Sequence, residues 1–327
     1  MKRREFLSAT IGASLILPIA STLLAATTNK KKISVGIMTD LHQDVMHDGP
    51  IRLQAFLNEM KRNRPDAIMQ MGDFAYPNEK NRDLIESFNN AHQNRLHVIG
   101  NHDTDAGHKK EEVISFWGMP NRYYSKEING IWFIILDGND KGSPKHKGGY
   151  PAFIGEEQTN WLKQQLIEIK GPIIVVSHQP LAGPMSVDNA EDIQKILSSA
   201  SDKILVAING HTHIDSLLDI NGIRYVTINS ASYFWVGSEF RHEMYSKEIH
   251  AAHPYIASTC PYSEPLFTVL TIDFKGGTIK IDGKKGDWVG KSPTELGYTD
   301  KTTIKVGAEI VPFIRSVKLK TTKRQMA

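Results

Sequence analysis

The sequence predicts an α/β fold, and three observations carry that expectation. Apolar, β-branched runs alternate with stretches of helical spacing from residue 33 to residue 208. Beyond that point several strand-like runs follow one another, which adds β structure to the alternating core. Polar residues able to hold a metal fall at the ends of the apolar runs, where an α/β sheet forms its ligand crevice.

The elements read as follows. Ile33–Thr39 is a β-branched run ending at Asp40, and Ile51–Lys61 carries Ile51, Phe56, Leu57 and Met60 at helical spacing. Ala67–Met71 is a short strand leading to Gly72-Asp73, Asp83–His92 a helix, and Leu96–Ile99 a strand leading to Gly100-Asn101-His102-Asp103. Tyr123–Ser125 and Ile131–Leu136 face each other across Asn129-Gly130, a strong hairpin turn pair. Glu156–Ile169 reads as a helix with Trp161, Leu162 and Leu166 on its apolar face, and Ile173–Ser177 as a strand ending at His178. Asp188–Ser198 reads as a helix and Ile204–Ile208 as a strand that leads to Gly210-His211-Thr212-His213. Ile223–Ile228, Leu266–Asp273 and Thr278–Asp282 are further strands. The stretch 236–263 has no clear period, and a loop reaching over the site is one reading of it. The basic run Lys318 to Arg324 reads as a solvated strand edge or a tail.

Bulk properties set limits. The chain has 327 residues, 40% hydrophobic and 23% charged, so it can bury a sizeable core and is not a disordered chain. Its formal charge is +3; Lys2, Arg3 and Arg4 less Glu5 supply +2 of that, so the remainder is nearly neutral and does not mark a general nucleic-acid binder. With one cysteine, Cys260, no intramolecular disulfide forms.

The start, Met1-Lys2-Arg3-Arg4-Glu5-Phe6-Leu7, followed by a modestly apolar stretch to Ala26, has the order of a secretory leader. The paired arginines resemble a twin-arginine export signal, which implies folding before export, cleavage near Ala25 or Ala26, and a periplasmic or secreted bacterial protein with no stable membrane association afterwards. The alternative is an uncleaved anchor, against which the breaks at Ser14, Pro18, Ser21 and Thr22 argue. The expected organisation is thus a leader over 1–26, a linker over 27–32, one domain over 33–290, and an extension of strand or tail over 291–327.

The chemistry lies in five short motifs: Asp40-x-His42, Gly72-Asp73, Gly100-Asn101-His102-Asp103, His178, and Gly210-His211-x-His213. Singly they are weak, since an Asp-x-His or Gly-Asp pair is usually a turn or a cap. Together, each at a strand end, they are expected to converge in space while lying far apart in sequence. Imidazole and oxygen donors without thiolate suit manganese, iron, zinc, cobalt or nickel better than calcium or magnesium, and do not make a structural zinc site.

In these five blocks the chain resembles the calcineurin-like metallophosphoesterase superfamily, over about residues 33 to 232. The resemblance implies a four-layer α/β/β/α sandwich, two facing mixed sheets flanked by helices, with two divalent transition metal ions at one edge. It implies one ion on Asp40, His42, Asp73 and His213, the other on Asp73, Asn101, His178 and His211, with Asp73 and a hydroxide bridging them. His102 would act in catalysis, donating a proton to the leaving oxygen or stabilising negative charge on the phosphoryl group, and Asp103 would orient it through a hydrogen bond. Two ions about 3.5–4 Å apart can clamp the attacking and leaving oxygens of a displacement and acidify water from about 15.7 toward about 7.

The expected function is hydrolysis of phosphate mono- or diesters on a small phosphorylated substrate, the export machinery being the other expected partner. Nucleotide pyrophosphate hydrolysis is the alternative among enzymes, and a metal-dependent phosphate-binding protein without turnover the alternative outside them. Gly72-Asp73-x-x-Tyr76 also looks like the purple acid phosphatase block, but those enzymes lack the histidine that stands here at His42, so Tyr76 is expected as a wall of the site. His47 and His108 follow ligand-bearing strand ends and are candidates to touch substrate. The loop Lys141–Gly149 could offer positive charge to a phosphate, although a solvated loop is the plainer expectation.

Overall fold

The computed structural model describes residues 32–299, 308–322 and 324–326. The expected leader, and the linker up to residue 31, lie outside the described residues. Among those described, no helix is long and apolar enough to cross a membrane.

The amino half alternates as the apolar runs predict: β1 (Lys32–Met38), α1 (Gly49–Asn63), β2 (Ala67–Gln70), α2 (Arg82–Ala91), β3 (Arg95–His97) and α3 (Lys110–Trp117). The hairpin β4 (Tyr124–Ile128) and β5 (Ile131–Leu136) turns at Asn129-Gly130, both at positive φ. Then come α4 (Glu156–Glu168), β6 (Ile173–Ser177), α5 (Ala190–Ser198), β7 (Ile204–Asn209), β8 (Asp215–Ile220) and β9 (Ile223–Thr227). The last part is mainly strands: β10 (Tyr233–Trp235), α6 (Lys247–Ala252), β11 (Thr259–Pro261), β12 (Thr268–Asp273), β13 (Thr278–Ile281), β14 (Lys284–Lys285), β15 (Ala308–Glu309), β16 (Phe313–Ile314) and β17 (Val317–Lys320).

Two large mixed sheets result. One has the order β17-β13-β12-β1-β2-β3, with β1, β2 and β3 parallel; the other has the order β15-β8-β9-β7-β6-β5-β4, with β5, β6, β7 and β9 parallel. Strand β6 shows why they stack. All five of its residues are buried, and its side chains alternate between two cores. Ile174 and Val176 pack into the core shared with β1, β2 and β12, whereas Ile173 and Val175 pack against Leu162 and Leu166 of α4 and Ile193 and Leu197 of α5. Helices α1 and α2 pack with the first sheet through Phe56, Met60 and Phe88. The arrangement is the four-layer α/β/β/α sandwich.

Three features differ from, or add to, the sequence expectation. Helix α3 was not legible, because only Val113 and Trp117 of its eight residues are buried and so set no long apolar stripe. The stretch 236–263 is not one open loop: it holds α6 and β11, β11 pairs with β10, and Ile256 packs on Met46 and Tyr233 beside the site. Residues 308–320 supply β15 and β17, edge strands of both sheets. Cys260 lies buried in β11, where burial pushes its thiol up to about 12, so it packs as a small apolar side chain.

His97 shows the core enforcing a protonation state. It is buried against Phe88 and Trp117, with Nδ1 3.0 Å from the Gln70 amide nitrogen and Nε2 2.8 Å from Asn89 Oδ1. Burial first, then Arg95 and Lys126, push its pKa down to about 3. The unfolded chain therefore takes up the proton first. The contribution of neutral His97 is intact above about pH 6.5 and falls by about 1.4 kcal/mol per pH unit below it, until the folded-state pKa is reached. Denaturant unfolding at pH 7 and pH 5 should differ by about 2 kcal/mol from this group, and His97→Gln should remove that share. An identical pH slope in both proteins would refute the assignment.

Candidate metal centre

The parallel strands deliver the expected ligands to one edge. From the first sheet, Asp40 and His42 follow β1, Asp73 follows β2 and Asn101 follows β3; from the second, His178 follows β6 directly and His211 and His213 follow β7. The strand ends are tied to one another by backbone hydrogen bonds: Asp40 N–H to Gly72 O (3.0 Å), His42 N–H to Asp73 O (2.9 Å) and Gly210 N–H to His178 O (3.1 Å). His211 N–H donates to both oxygens of Asp40, which joins the two sheets at the site. Six of the seven side chains come together, Asn101 lies after β3 at the same sheet edge, and all but His211 are buried.

The local backbone is unusual. Asp40, His42, Asp73, His211 and His213 all have φ between 48° and 72°, the left-handed region that non-glycine residues seldom occupy. Asp and His tolerate it better than branched side chains do, and it turns each side chain away from its strand direction and into the cluster. The motif glycines are required by space. A Cβ on Gly72, itself at φ 97°, would lie 2.5 Å from His178 Nδ1, and one on Gly210 would lie 2.5 Å from Asp40 Oδ2.

The donor atoms form two groups, Asp40 with His42 and His213, and Asp73 with His178 and His211, the atoms of each lying within 4.8 Å of one another. His42 Nε2 is 3.1 Å from His213 Nε2, which is 3.1 Å from Asp40 Oδ1. His178 Nε2 is 3.1 Å from Asp73 Oδ2 and 3.2 Å from His211 Nδ1. Asp73 Oδ2 is also 3.6 Å from His42 Nε2, so one oxygen faces both groups, while Oδ1 accepts the His102 backbone N–H at 2.8 Å.

Two features fit this set to metal ions. His213 Nδ1 donates to Tyr233 O (2.7 Å) and His178 Nδ1 to Met71 O (2.8 Å), which turns each Nε2 toward the cluster, as carbonyls behind metal-binding histidines do. Asn101 Oδ1 is buried without a hydrogen-bond partner, a costly state for an amide oxygen unless a cation takes the lone pair. The residues fit two ions.

Electrostatics agree. Burial works against both carboxylates, yet His213 and His178 hold Asp40 down at about 2, and His178 and His102 hold Asp73 well below its ordinary value. Burial also works against a charged His178, but Asp73 and Asp40 outweigh it and raise its pKa to about 10. Burial and the charged His178 push His211 down to about 3.

One expectation is corrected. Asp103 does not orient His102. Its carboxylate accepts three backbone N–H groups, from Asp73 (2.9 Å), Phe74 (2.7 Å) and Gly100 (2.7 Å), and so clamps the loops after β2 and β3 to each other. Fixed there, it has no hydrogen bond to the His102 ring. His102 Nδ1 instead lies 2.7 Å from Asp105 Oδ2, and the Tyr150 hydroxyl lies 2.8 Å from both Asp105 oxygens. Asp105 stands three residues after His102, a spacing that the sequence offers; Tyr150 stands 48 residues away and nothing local marks it.

Tyr76 lines a small recess with His42, Asp73 and His102, as a wall of the site. Burial, with Asp105 and Asp44 beside it, raises its phenol well above the ordinary value, so it is held as the neutral phenol. His108 packs against Tyr76 and pairs with Glu112, and His47 packs against Tyr245 and His253. The 141–149 loop is largely exposed, with Lys145 Nζ bonded to Asp188 O.

Comparison with known proteins agrees with this geometry. The profile of the calcineurin-like phosphoesterase family matches residues 33–215. No curated protein matches the sequence. Among solved structures, a dimetal phosphatase from Danio rerio is 14% identical with a TM-score of 0.55, covering 80% of this chain and 99% of that one. GAP50, described as the anchor in the inner membrane complex of Plasmodium, is 18% identical with a TM-score of 0.56, covering 91% of each chain. At such identity both show the shared fold.

Two outcomes are expected. Gly72→Ala and Gly210→Ala should bind far less metal than the parent, measured by elemental analysis after dialysis, while circular dichroism shows both folded; full metal content in either would contradict the packing argument. Divalent ions that bind His178 must displace its proton, so binding should release protons near neutral pH and tighten as pH rises toward about 10. Calorimetry in two buffers of different ionisation enthalpy reads this directly, and identical heats would refute it.

Proposed function

The chain belongs to the calcineurin-like phosphoesterase family and is a metal-dependent phosphoesterase, and from that premise we propose that it hydrolyses phosphate mono- or diesters at a dinuclear centre. The observation that carries the reading is the pair of donor groups sharing one oxygen of Asp73, with His102 beside them. Asp40, His42, Asp73 and His213 would hold one ion; Asp73, Asn101, His178 and His211 would hold the other. When bound, the ions supply a water-derived nucleophile at neutral pH and electrophilic stabilisation of the phosphoryl oxygens.

The chain's own residues do the remaining work. The carbonyls behind His178 and His213 fix the ligand rings. Asp103 clamps the loops that carry Asp73 and Asn101. The His102 ring lies against His42, with centroids 5.2 Å apart and its side chain 39% exposed, so it borders the site and is open to solvent. There it can give a proton to the leaving oxygen. Burial opposes its charged form, while Asp73 and Asp105 favour it and raise its pKa above the ordinary value.

GAP50, an anchor by its description, shares the fold, so the fold alone does not separate a hydrolase from a scaffold. The complete donor set together with His102 supports turnover. The basic and then apolar start supports delivery by twin-arginine export to the periplasm or the outside of the cell.

The test is to purify the protein, measure bound metal, and assay a phosphomonoester and a phosphodiester side by side. Two ions per chain and turnover on at least one ester are expected, with loss of turnover on chelation and recovery on metal return. Stoichiometry well below two with no turnover on either ester would overturn the reading. His102→Ala should lower turnover by about 10²–10⁴-fold. Its metal content should hold, because Asp73 is bonded by the backbone N–H of residue 102, which alanine keeps.

A further inference from the structure

We propose that Asp105 and Tyr150 are positioning residues for His102, with the Tyr150 hydroxyl locking Asp105 and thereby the imidazole. The proposal rests on the hydrolytic reading above and assigns it two residues outside the five motifs. The three side chains form a closed set. His102 Nδ1–H donates to Asp105 Oδ2 at 2.7 Å, the Tyr150 hydroxyl lies 2.8 Å from each Asp105 oxygen, and the same hydroxyl lies 3.1 Å from His102 Nδ1. The Tyr150 ring leans on the His102 ring with centroids 4.7 Å apart.

Two further observations separate this from a chance surface contact. The short helical turn after Asn101 breaks at Asp105, whose φ/ψ is −65°/173°, and Ala106 takes the left-handed φ of 57°. The 3₁₀ turn itself stacks side chains three residues apart, which sets Asp105 over His102, and the break leads the following chain away. Tyr150 has 46% of its surface exposed, so burial does not fix its position; it leans on the ring of His102 and bonds the carboxylate of Asp105. It also ends the loop that carries Lys141, Lys145, His146 and Lys147, and Gly148 and Gly149 just before it both lie at positive φ. Burial and Asp105 raise its phenol pKa, which keeps the hydroxyl a donor.

A carboxylate that accepts both the Nδ1–H and the phenol O–H holds the ring orientation and leaves Nε2 as the nitrogen free to serve the reaction. Replacing the partner that orients a functional histidine costs about 10–100-fold. Loss of one such hydrogen bond, half open to solvent and one step from the ring, costs about 3–10-fold.

The experiment uses the full metal-loaded protein and its Asp105→Asn and Tyr150→Phe variants, each alone and combined with His102→Ala. Substrates are an alkyl phosphoester and its nitrophenyl counterpart. Asp105→Asn should lower kcat by about 10–100-fold and Tyr150→Phe by about 3–10-fold, both more on the alkyl ester, with KM and bound metal near the parent. On the His102→Ala background both losses should vanish. If either variant lowers kcat by the same factor with and without His102, or leaves it unchanged, the proposal fails.

A second readout does not need turnover. In the metal-free protein, nitrogen-15 NMR should show a His102 Nδ1–H protected from solvent exchange, lost in Asp105→Asn and exchanging faster in Tyr150→Phe. A parent protein inactive on both esters would defeat the hydrolytic reading, and the NMR signal would still decide the positioning. An Nδ1–H signal indifferent to both substitutions would overturn the proposal outright.

Discussion

Five of the residues gathered at the sheet edge stand in left-handed backbone conformations, and the site depends on the fold's ability to hold them there. For a residue with a side chain each such turn costs on the order of 1–2 kcal/mol. Asp40, His42, Asp73, His211 and His213 keep it because neighbouring strand ends restrain one another. His42 N–H bonds to Asp73 O, Gly210 N–H to His178 O, and Ala231 N–H to Thr39 O. Ser230 and Ser232 hydroxyls bond the carbonyls of Asp40 and Leu41 (2.9 and 2.7 Å). The core between the sheets supplies the rigidity, since Ile37, Met69, Val176 and Ile208 are fully or almost fully buried just behind these turns. Strain of this kind persists where the surroundings over-determine the backbone, and it commonly marks functional sites.

The same economy runs through the side chains. Each carboxylate is divided: Asp40 Oδ2 accepts Thr39 Oγ1–H (2.6 Å) and Asp73 Oδ1 accepts the His102 N–H, which leaves Oδ1 of the first and Oδ2 of the second to face the imidazoles. Each backed histidine gives one nitrogen to a carbonyl and turns the other inward. The cluster holds two carboxylates and four imidazoles, and the Asn101 amide oxygen after β3 is buried without a partner. Divalent cations answer all of these requirements at once, whereas protons on His178 answer only some.

Asp103 and Asp105 show how position within a motif can mislead about role. Asp103 is adjacent to His102 in sequence, yet the chain direction sends its carboxylate under the loops, where three backbone N–H groups need an acceptor. Asp105 lies three residues after His102 in a 3₁₀ turn, which sets its side chain over the ring. Adjacent residues in a tight turn point to different sides, and only the turn geometry says which side each occupies.

The sequence by itself determined the α/β alternation, the strand ends and the six donors that meet there, with Asn101 at the same edge. Those rest on local physics: apolar periodicity for the elements, glycine beside each turn, and donor types that pair with metal. The resemblance of its motifs to the family also set His102 apart from the ligands around it. Tertiary structure alone decided that 236–263 packs beside the site as α6 and β11, that residues 308–320 complete both sheets, and that Asp105 and Tyr150, not Asp103, meet the His102 ring. These depend on contacts between segments far apart in the chain, or on the geometry of one tight turn, and residue types alone do not settle either.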